Sequence, residues 1–272
     1  MQTIVITGST RGIGLGLARE FLRGGHNVVV TGRSQAAVDR ALADLAGGDR
    51  VLGLTCDVRS MAAQQAVWDQ AAAKFGRVDM WINNAAIATD RALLADLPVD
   101  QIEQTVATNL LGTLYGCKVA IAGMLKQPEG GKVYTFEGFG SDGIARPGLS
   151  TYGSTKRAIR YLTASLAKEY KDTKVLVGSL SPGIVATDLL LYSSKGDDPA
   201  AWEKAKRTLN ILGDTVETVC PYLAREALAA TKQGAMIAWL TPRKAAGRFL
   251  MSFFKKRDIL SELEARPDLT VR

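Results

Sequence analysis

The sequence contains a single histidine, His26, in 272 residues, so it cannot supply a site that works through several imidazoles. Its three cysteines, Cys56, Cys117 and Cys220, are widely spaced and form no CxxC pair. This usage predicts reduced thiols in a cytoplasmic compartment, and it argues against a disulfide framework or a metal site.

Long hydrophobic runs are also missing, and none approaches the roughly 20 residues of a membrane-spanning helix. The opening residues, MQTIVITGST, lack the basic and apolar regions of a secretory signal. No repeat or low-complexity linker separates a second domain. The hydrophobic content of 47% and the charged content of 22% are typical of a globular protein. The net charge of +7 fits anionic ligands, an acidic partner surface or a solvated basic exterior.

Short apolar or β-branched runs alternate with longer stretches of helical periodicity. The runs are residues 3–6, 27–32, 50–56, 78–83, 132–137, 174–180 and 235–240. This alternation predicts an α/β fold built from βαβ units, with a parallel sheet and helices on both faces. Two segments depart from the rhythm, a polar insertion at 189–213 and a C-terminal extension at 241–272.

A glycine-rich turn, TGSTRGIGLG, follows the first predicted strand and opens the first helix. Small residues at such a turn let main-chain N–H groups approach a pyrophosphate at the helix N-terminus. The turn therefore predicts a dinucleotide site formed by Gly8, Ser9, Thr10, Arg11, Gly12, Ile13 and Gly14.

The end of the second strand indicates which dinucleotide is bound. A free ribose 2′-hydroxyl favours an acid there, whereas a 2′-phosphate favours arginine. The sequence VVVTGRS has Arg33 and Ser34 and no acid until Asp39, and Arg11 supplies a second cation. We therefore predict NADPH rather than NADH. Further contacts are expected where the next two strands end, at Asp57, Val58, Asn84 and Ala85.

Tyr152 and Lys156 in YGSTK are spaced i, i+4 and would share one face of a helix. A free tyrosine has a pKa of about 10, too high for ready proton exchange at neutral pH. A neighbouring ammonium and an oxidised nicotinamide would favour the phenolate and lower this pKa. The tyrosine could then donate a proton to a carbonyl oxygen whose carbon receives hydride.

Several motifs occur in an order that resembles the short-chain dehydrogenase/reductase family over about residues 1–240. They are TGSTRGIG, Asp57, NNAA at 83–86, Asn109 in TNLLG, YGSTK and SPGIVATD at 181–188. The resemblance implies a single Rossmann-type domain with a doubly wound, seven-stranded parallel sheet, and a homodimer or homotetramer. It implies that Tyr152 donates the proton, that Lys156 binds the nicotinamide ribose and that Asn109 holds a relay water. It also implies a nicotinamide lining that includes Pro182, Gly183, Val185 and Thr187.

The chain departs from the family at the residue that polarises the substrate carbonyl. The family usually has a serine in the loop before the tyrosine, and this chain has Phe139 or Gly138 at that place. Ser141 is the nearest hydroxyl and is the predicted replacement. Main-chain N–H groups, Glu137 or Asp142 remain alternatives, and NNAA replaces the usual NNAG.

The same displaced serine is found in chlorophyll b reductases, which the block from KVYTFEGFGSDG to SPGIVATDLLL also resembles. This resemblance implies NADPH-dependent reduction of a formyl group on a chlorophyll-type macrocycle to hydroxymethyl. Without an apparent transit peptide, the chain is expected to be a cytoplasmic, bacterial relative with its own substrate. Another lipophilic carbonyl (a steroid, quinone or ketoacyl compound) and a catalytically silent NADPH-binding regulator are the alternatives. The joint presence of Asn109, Tyr152 and Lys156 argues against the regulator.

The two irregular segments have two interpretations each. Residues 189–213 lie where the family has a substrate-covering lid, and their apolar side chains could cover a large ring or pack as core. These are Leu189, Leu190, Leu191, Tyr192, Trp202, Leu209 and Ile211. The extension interleaves basic and aromatic residues, which suits a peripheral membrane contact or packing on the body or a partner subunit. No nucleic-acid-binding motif is present.

Overall fold

The centre of the fold is a parallel sheet, described in a computed structural model of residues 1–192 and 199–260. Its strands are β1 (Thr3–Ile6), β2 (Asn27–Gly32), β3 (Val51–Thr55), β4 (Met80–Asn83), β5 (Gly131–Phe136), β6 (Val175–Ser181) and β7 (Met236–Ala238). They lie in the order β3-β2-β1-β4-β5-β6-β7, and every neighbouring pair is parallel. The order reverses between β1 and β4, where a crevice opens at the carboxyl ends of the strands. The predicted Rossmann-type class is confirmed.

Helices cover both faces of the sheet. They are α1 (Gly12–Arg23), α2 (Gln35–Leu45), α3 (Met61–Phe75), α4 (Val99–Thr105), α5 (Gly112–Met124), α6 (Ser150–Glu169), α7 (Asp188–Tyr192), α8 (Pro199–Leu212), α9 (Val216–Ala229) and α10 (Pro242–Met251). Alternate residues of β1 face opposite sides, as the strand period requires: Ile4 and Ile6 belong to one core and Val5 to the other. Helices α1 and α9 pack on the first side, and α3 and α5 on the second.

All three cysteines are buried and free of disulfides. Cys220, on α9, lies in the core with Ile4 and Ile6, whereas Cys117, on α5, lies in the core of the opposite face with Cys56. Burial raises the pKa of Cys56 to about 11, with help from the charge of Asp57, and it raises the pKa of Cys117 to about 12. The thiols are therefore protonated at neutral pH.

The predicted lid segment contains α7 and α8. Leu190 and Leu209 pack against Ala186, Ile259 and Leu260 in a small apolar cluster of their own. For Leu191, Tyr192 and Trp202 the structure describes only the helical backbone, so the predictions for their side chains lie outside what is described. None of the helices in the described ranges combines the length and apolarity needed to span a bilayer.

Candidate active site

The glycine-rich turn between β1 and α1 is held by the end of β2. The Ser9 hydroxyl donates to the Ile6 carbonyl at 2.7 Å and accepts from the Thr31 N–H at 3.0 Å. Gly8 has a φ of +61°, and a Cβ there would lie 2.8 Å from Cα of Ala85. Only glycine suits this position, because both the backbone conformation and the space exclude a side chain.

The N-terminus of α1 has the features of a pyrophosphate cradle. Arg11 occupies the cap position, and no side chain caps the first turn. Gly12 has a φ of +57°, and Cγ2 of Thr187 would be the nearest atom to a Cβ there, at 3.7 Å. The first-turn N–H groups thus have no side-chain cap, and Ile13 packs against the core. These residues fit a dinucleotide phosphate.

Asn84 and Ala85 hold the β4 loop against the glycine turn. Nδ2 of Asn84 donates to the carbonyls of Thr7 and Gly8, both at 2.9 Å. The Ala85 N–H donates to the Thr7 hydroxyl at 3.1 Å. The Asn84 side chain therefore shapes the cradle, and its amide nitrogen is occupied by main-chain partners.

Arg33 and Arg11 have different neighbours. Arg33 is exposed at the end of β2, and the adjacent Ser34 caps α2 by accepting from the Ala37 N–H. Arg11 instead forms an ion pair of 3.1 Å with Asp188, the first residue of α7. Arg11 thus links the glycine turn to α7, in the predicted lid segment, whereas Arg33 forms no ion pair among the described residues.

Asp57, followed by Val58 after β3, is paired with Arg59. The Arg59 Nη2 lies 2.6 Å from Oδ2 of Asp57, and its Nε is 3.0 Å from both carboxylate oxygens. This hydrogen bonding, opposed by partial burial, lowers the pKa of Asp57. Arg59 is not among the residues predicted from the sequence, although the DVR tripeptide places the two charges close together.

Tyr152 and Lys156 lie together on α6 beside the end of β5. Nζ of Lys156 is 5.7 Å from the centroid of the Tyr152 ring, and it donates to the Phe136 carbonyl at 3.2 Å. The Tyr152 hydroxyl faces Gly138, where a Cβ would lie only 2.7 Å from Oη. The structure thus brings the predicted pair to the carboxyl edge of the sheet, at the place where the family serine is missing.

Burial shifts the pKa values of both Tyr152 and Lys156, and for Tyr152 the direction differs from the one predicted from the sequence. It raises the pKa of Tyr152 to about 12, whereas a lowered value was expected. It also lowers the pKa of Lys156 to about 8, although the charge of Glu137 opposes this effect. In the protein alone the ammonium does not lower the tyrosine pKa, and the lowering expected with a bound oxidised nicotinamide stays a prediction. The desolvation of the phenolate outweighs its attraction to an ammonium that is itself poorly solvated.

The loop after β5 gives Ser141 main-chain partners. Its hydroxyl accepts from the Gly138 N–H at 3.0 Å and donates to the Lys156 carbonyl at 3.3 Å. The side chain is buried, and it braces the turn against α6. Phe139, the other residue at the expected serine position, is exposed, as is Asp142.

Asn109 lies in a π-helical segment, Val106–Leu111, between α4 and α5. Its buried side chain makes two hydrogen bonds with the main chain of Ile87. Nδ2 of Asn109 donates to the Ile87 carbonyl at 2.9 Å, and Oδ1 of Asn109 accepts from the Ile87 N–H at 2.8 Å. Nδ2 also reaches the Thr155 hydroxyl at 3.3 Å. Asn109 therefore ties the β4 loop to α6, in the wider turn that often marks functional sites.

The loop after β6 carries Pro182, Gly183, Val185 and Thr187 toward the glycine turn. Gly183 has a φ of +72°, which turns the chain away from the strand. Val185 pairs with Asp214 in an isolated parallel bridge. Thr187 reaches Gly12, as noted above, so this loop borders the dinucleotide cradle.

A buried carboxylate that the sequence analysis missed lies behind this loop. Asp214 is 3% exposed and accepts from Trp239 Nε1 at 2.5 Å, Arg248 Nη2 at 2.6 Å and Arg257 Nη2 at 2.7 Å. Burial alone would raise its pKa, but these hydrogen bonds together lower it. The partners lie 25 to 43 residues away in the chain, so no local pattern in the sequence predicts the cluster.

Glu137 gives the site a testable pH dependence. Its buried carboxylate, 4.0 Å from Nη1 of Arg160, keeps the pKa of Lys156 higher than burial alone would. If the ammonium form is the active one, activity falls as the pH rises through the Lys156 pKa. Glu137→Gln should move this alkaline limb of kcat/KM to lower pH and reduce kcat/KM there by roughly three- to tenfold.

The matched control is Asp142→Asn, which makes the same charge change on an exposed residue of the same loop. Its pH profile should overlay that of the wild type. Superimposable profiles for the Glu137 variant and the wild type would show that this carboxylate does not act on Lys156.

Comparisons with known proteins place this geometry among related chains. A family profile described as short chain dehydrogenase matches residues 2–198. The chain is 38% identical over 256 residues to chlorophyll(ide) b reductase NOL of Oryza sativa subsp. japonica, covering 90% of this chain and 73% of that one. It is 32% identical over 273 residues to probable chlorophyll(ide) b reductase NYC1 of Arabidopsis thaliana, covering 94% and 54%. A solved structure of serine dehydrogenase with NADP+ has a TM-score of 0.74 at 26% identity, covering 87% and 92%.

The comparisons also correct one prediction. The cysteine usage and the opening residues led us to expect a cytoplasmic protein. Both plant relatives are chloroplastic by name, so the cytoplasmic location is contradicted. Reduced thiols distinguish an oxidising compartment from a reducing one, and they carry no information about which reducing compartment holds the protein.

Proposed function

Because the chain belongs to the short-chain dehydrogenase/reductase family and is an NAD(P)-dependent oxidoreductase, we propose that it uses NADPH to reduce a carbonyl on a bulky hydrophobic substrate. The observation that carries this proposal is the placement of Tyr152 and Lys156 at the sheet edge that also holds the glycine turn. A protein that only bound the dinucleotide would have no use for a phenol placed beside it as a proton donor.

The dinucleotide would lie across the crevice between β1 and β4. The N–H groups at the start of α1 would hold its pyrophosphate, and Arg33 would bind its 2′-phosphate. Asp57 and Val58 would border the adenine end, and Pro182 to Thr187 the nicotinamide end. When bound there, NADPH would supply the hydride that the carbonyl carbon accepts.

Tyr152 would supply the proton. Its phenol, with a pKa raised to about 12, is protonated throughout the neutral range and can donate a hydrogen bond to the carbonyl oxygen. As negative charge grows on that oxygen, the proton moves across from Oη. Lys156 would stabilise the phenolate that remains and would bind the nicotinamide ribose, and Asn109 would support the water that returns a proton.

The missing serine gives the site its particular shape. Gly138 has no side chain, and the Tyr152 hydroxyl packs so closely against it that a Cβ there would lie 2.7 Å from Oη. We propose that the tyrosine alone polarises the carbonyl and that Ser141 is a positioning residue, which fixes the Gly138 turn through two hydrogen bonds. Ser141→Ala should then raise KM more than it lowers kcat.

Similarity to the plant relatives favours a chlorophyll b-type tetrapyrrole as the substrate, and its formyl group would become hydroxymethyl. The support is the similarity to chlorophyll(ide) b reductase NOL and to probable chlorophyll(ide) b reductase NYC1. We would mix the enzyme with NADPH and chlorophyllide b, and follow the loss of the formyl absorption. A bulky aromatic aldehyde, a steroid ketone and a ketoacyl thioester complete the panel.

Turnover of the tetrapyrrole with no turnover of the other compounds would support the proposed substrate. Faster turnover of another lipophilic carbonyl would transfer the assignment to that class. NADPH binding without turnover of any carbonyl would favour a silent regulator and would refute the proposed reductase.

Arg33 is the residue on which cofactor choice should depend. An arginine–phosphate contact is a charge-assisted hydrogen bond, so Arg33→Asp should raise the KM for NADPH by roughly ten- to a hundredfold. The KM for NADH should change little. Arg40→Asp, the same change on an exposed residue of α2, is the matched control. An unchanged ratio of the two KM values would refute the 2′-phosphate role.

We also propose a homodimer or homotetramer that assembles through the outer faces of α5 and α6. These faces carry exposed apolar side chains, Leu114 on α5 and Tyr161 on α6, that an interface would bury. A monomeric mass by light scattering at every working concentration would contradict this assembly.

A further inference from the structure

Helix α10 and the residues that follow it are oriented in the opposite sense to an ordinary surface helix. A surface helix normally packs its apolar stripe on the core and turns its charges to solvent. Here the side chains of Arg248 and Arg257 point inward to the buried Asp214. The large apolar side chains of the same segment point outward.

The inward contacts fix this orientation firmly. Besides its bond to Asp214, Arg248 donates from Nη1 to the Leu212 carbonyl at 2.8 Å, and Arg257 donates from Nη1 to the Ile211 carbonyl at 2.9 Å. Leu260, fully buried, anchors the segment at its far end. A buried carboxylate without cationic partners is strongly unfavourable. Rotating the helix to bury its apolar side would remove these partners from Asp214 and would therefore destabilise the fold.

Five large apolar side chains within six consecutive residues are exposed, and we call them the α10 surface (Phe249, Leu250, Met251, Phe253 and Phe254). Phe253 and Phe254 are each 82% exposed, and Leu250 is 63% exposed. Single exposed apolar residues are common, but a contiguous group of this kind marks a contact site.

Charge indicates what the α10 surface contacts. No acid occurs between Thr241 and Arg257 in the sequence. Arg243, Lys255 and Lys256 are exposed around the apolar side chains. Phenylalanines and leucine surrounded by lysines suit the interface of an anionic bilayer, where the rings enter the headgroup region and the cations remain at the charged surface.

We propose that the α10 surface docks on an anionic lipid bilayer. The inference goes beyond the proposed reductase function and does not depend on it. Because Arg248 and Arg257 hold the end of α8 from the inward side, docking would leave the predicted lid segment on the side of α10 that faces away from the lipid.

Vesicle flotation tests the proposal without any measurement of activity. The full chain would be mixed with phosphatidylcholine vesicles, with and without phosphatidylglycerol. It should float with the anionic vesicles, and less so as salt is raised. Phe253→Ser with Phe254→Ser should weaken this binding by about tenfold or more, because two rings no longer enter the interface. Lys255→Glu with Lys256→Glu should abolish the preference for anionic lipid.

The matched controls are Val99→Ser with Leu125→Ser, and Lys126→Glu with Lys168→Glu, which alter exposed residues elsewhere. Both should float like the wild type, and circular dichroism should show that all variants are folded. Failure of the wild type to float, or equal flotation of the phenylalanine variant, would overturn the proposal. A dimer that the phenylalanine substitutions dissociate, without any vesicle binding, would assign the surface to a second copy and would also overturn it. So would binding that arises only after removal of residues 261–272.

Discussion

Replacing Tyr152 by phenylalanine should lower kcat for carbonyl reduction by about two to four orders of magnitude, the range expected when a general acid is removed. The ring stays in place, so packing on α6 and binding of the dinucleotide should be retained. Only the donor hydroxyl beside Gly138 is lost. Steady-state oxidation of NADPH, together with a fluorescence titration of the cofactor, measures both effects.

Tyr161→Phe provides the matched control. Tyr161 lies on the same helix, and phenylalanine keeps the ring that the proposed interface would bury, so the same chemical change there should leave kcat and cofactor affinity unchanged. A Tyr152 variant that keeps a substantial part of the wild-type kcat would remove the phenol from the mechanism. Another proton donor, such as a bound water, would then have to be sought.

Replacing Asp214 by alanine should lower the free energy of unfolding by about 2 to 4 kcal/mol, because Arg248 and Arg257 lose their buried counter-charge. Their side chains are 16% and 32% exposed, so water compensates only in part. The melting temperature should fall by roughly 5 to 10 °C for a chain of this length. Asp214→Asn retains an acceptor for Trp239, so its melting temperature should lie between those of the wild type and the alanine variant.

Asp44→Ala is the matched control. Asp44 pairs with Arg19 at 2.7 Å, but both side chains are well exposed, so its loss should cost about 0.5 kcal/mol or less. The pH dependence gives a second check. Asp214 has a lowered pKa, so it stabilises the fold above the ordinary aspartate pKa, and this contribution is lost as the pH falls through its folded value. The difference between wild type and variant should therefore shrink in acid. Equal stability at neutral pH would contradict the role of the cluster.

The sheet was predictable because its signals are local. Each strand is a short apolar run bounded by turn residues, and helical periodicity fills the intervals, so the seven strands and their parallel arrangement follow from neighbouring residues. The helical pairing of Tyr152 with Lys156 is equally local, since four residues make about one turn. The glycine turn could be placed for the same reason.

The features that the sequence did not reveal depend on contacts between distant segments. The partner of Arg11 is Asp188, and the partners of Asp214 come from β7 onward, so neither pair has a spacing that a local pattern could detect. The rise in the Tyr152 pKa depends on burial by several elements at once. The main-chain partners of Ser141 depend on how the glycine-rich loop folds back on α6. The outward direction of Phe253 and Phe254 follows from the arginines that hold the opposite side.

Because all three cysteines are buried, alkylation of their thiols reports when the surrounding core opens. A thiol with a raised pKa and no access to solvent reacts slowly with alkylating reagents, so modification should require the surrounding core to separate. Cys220 reports on one side of the sheet, whereas Cys56 and Cys117 report on the other. Mass spectrometry of the labelled chain can therefore show which side opens first in a destabilised variant, with no engineered probe.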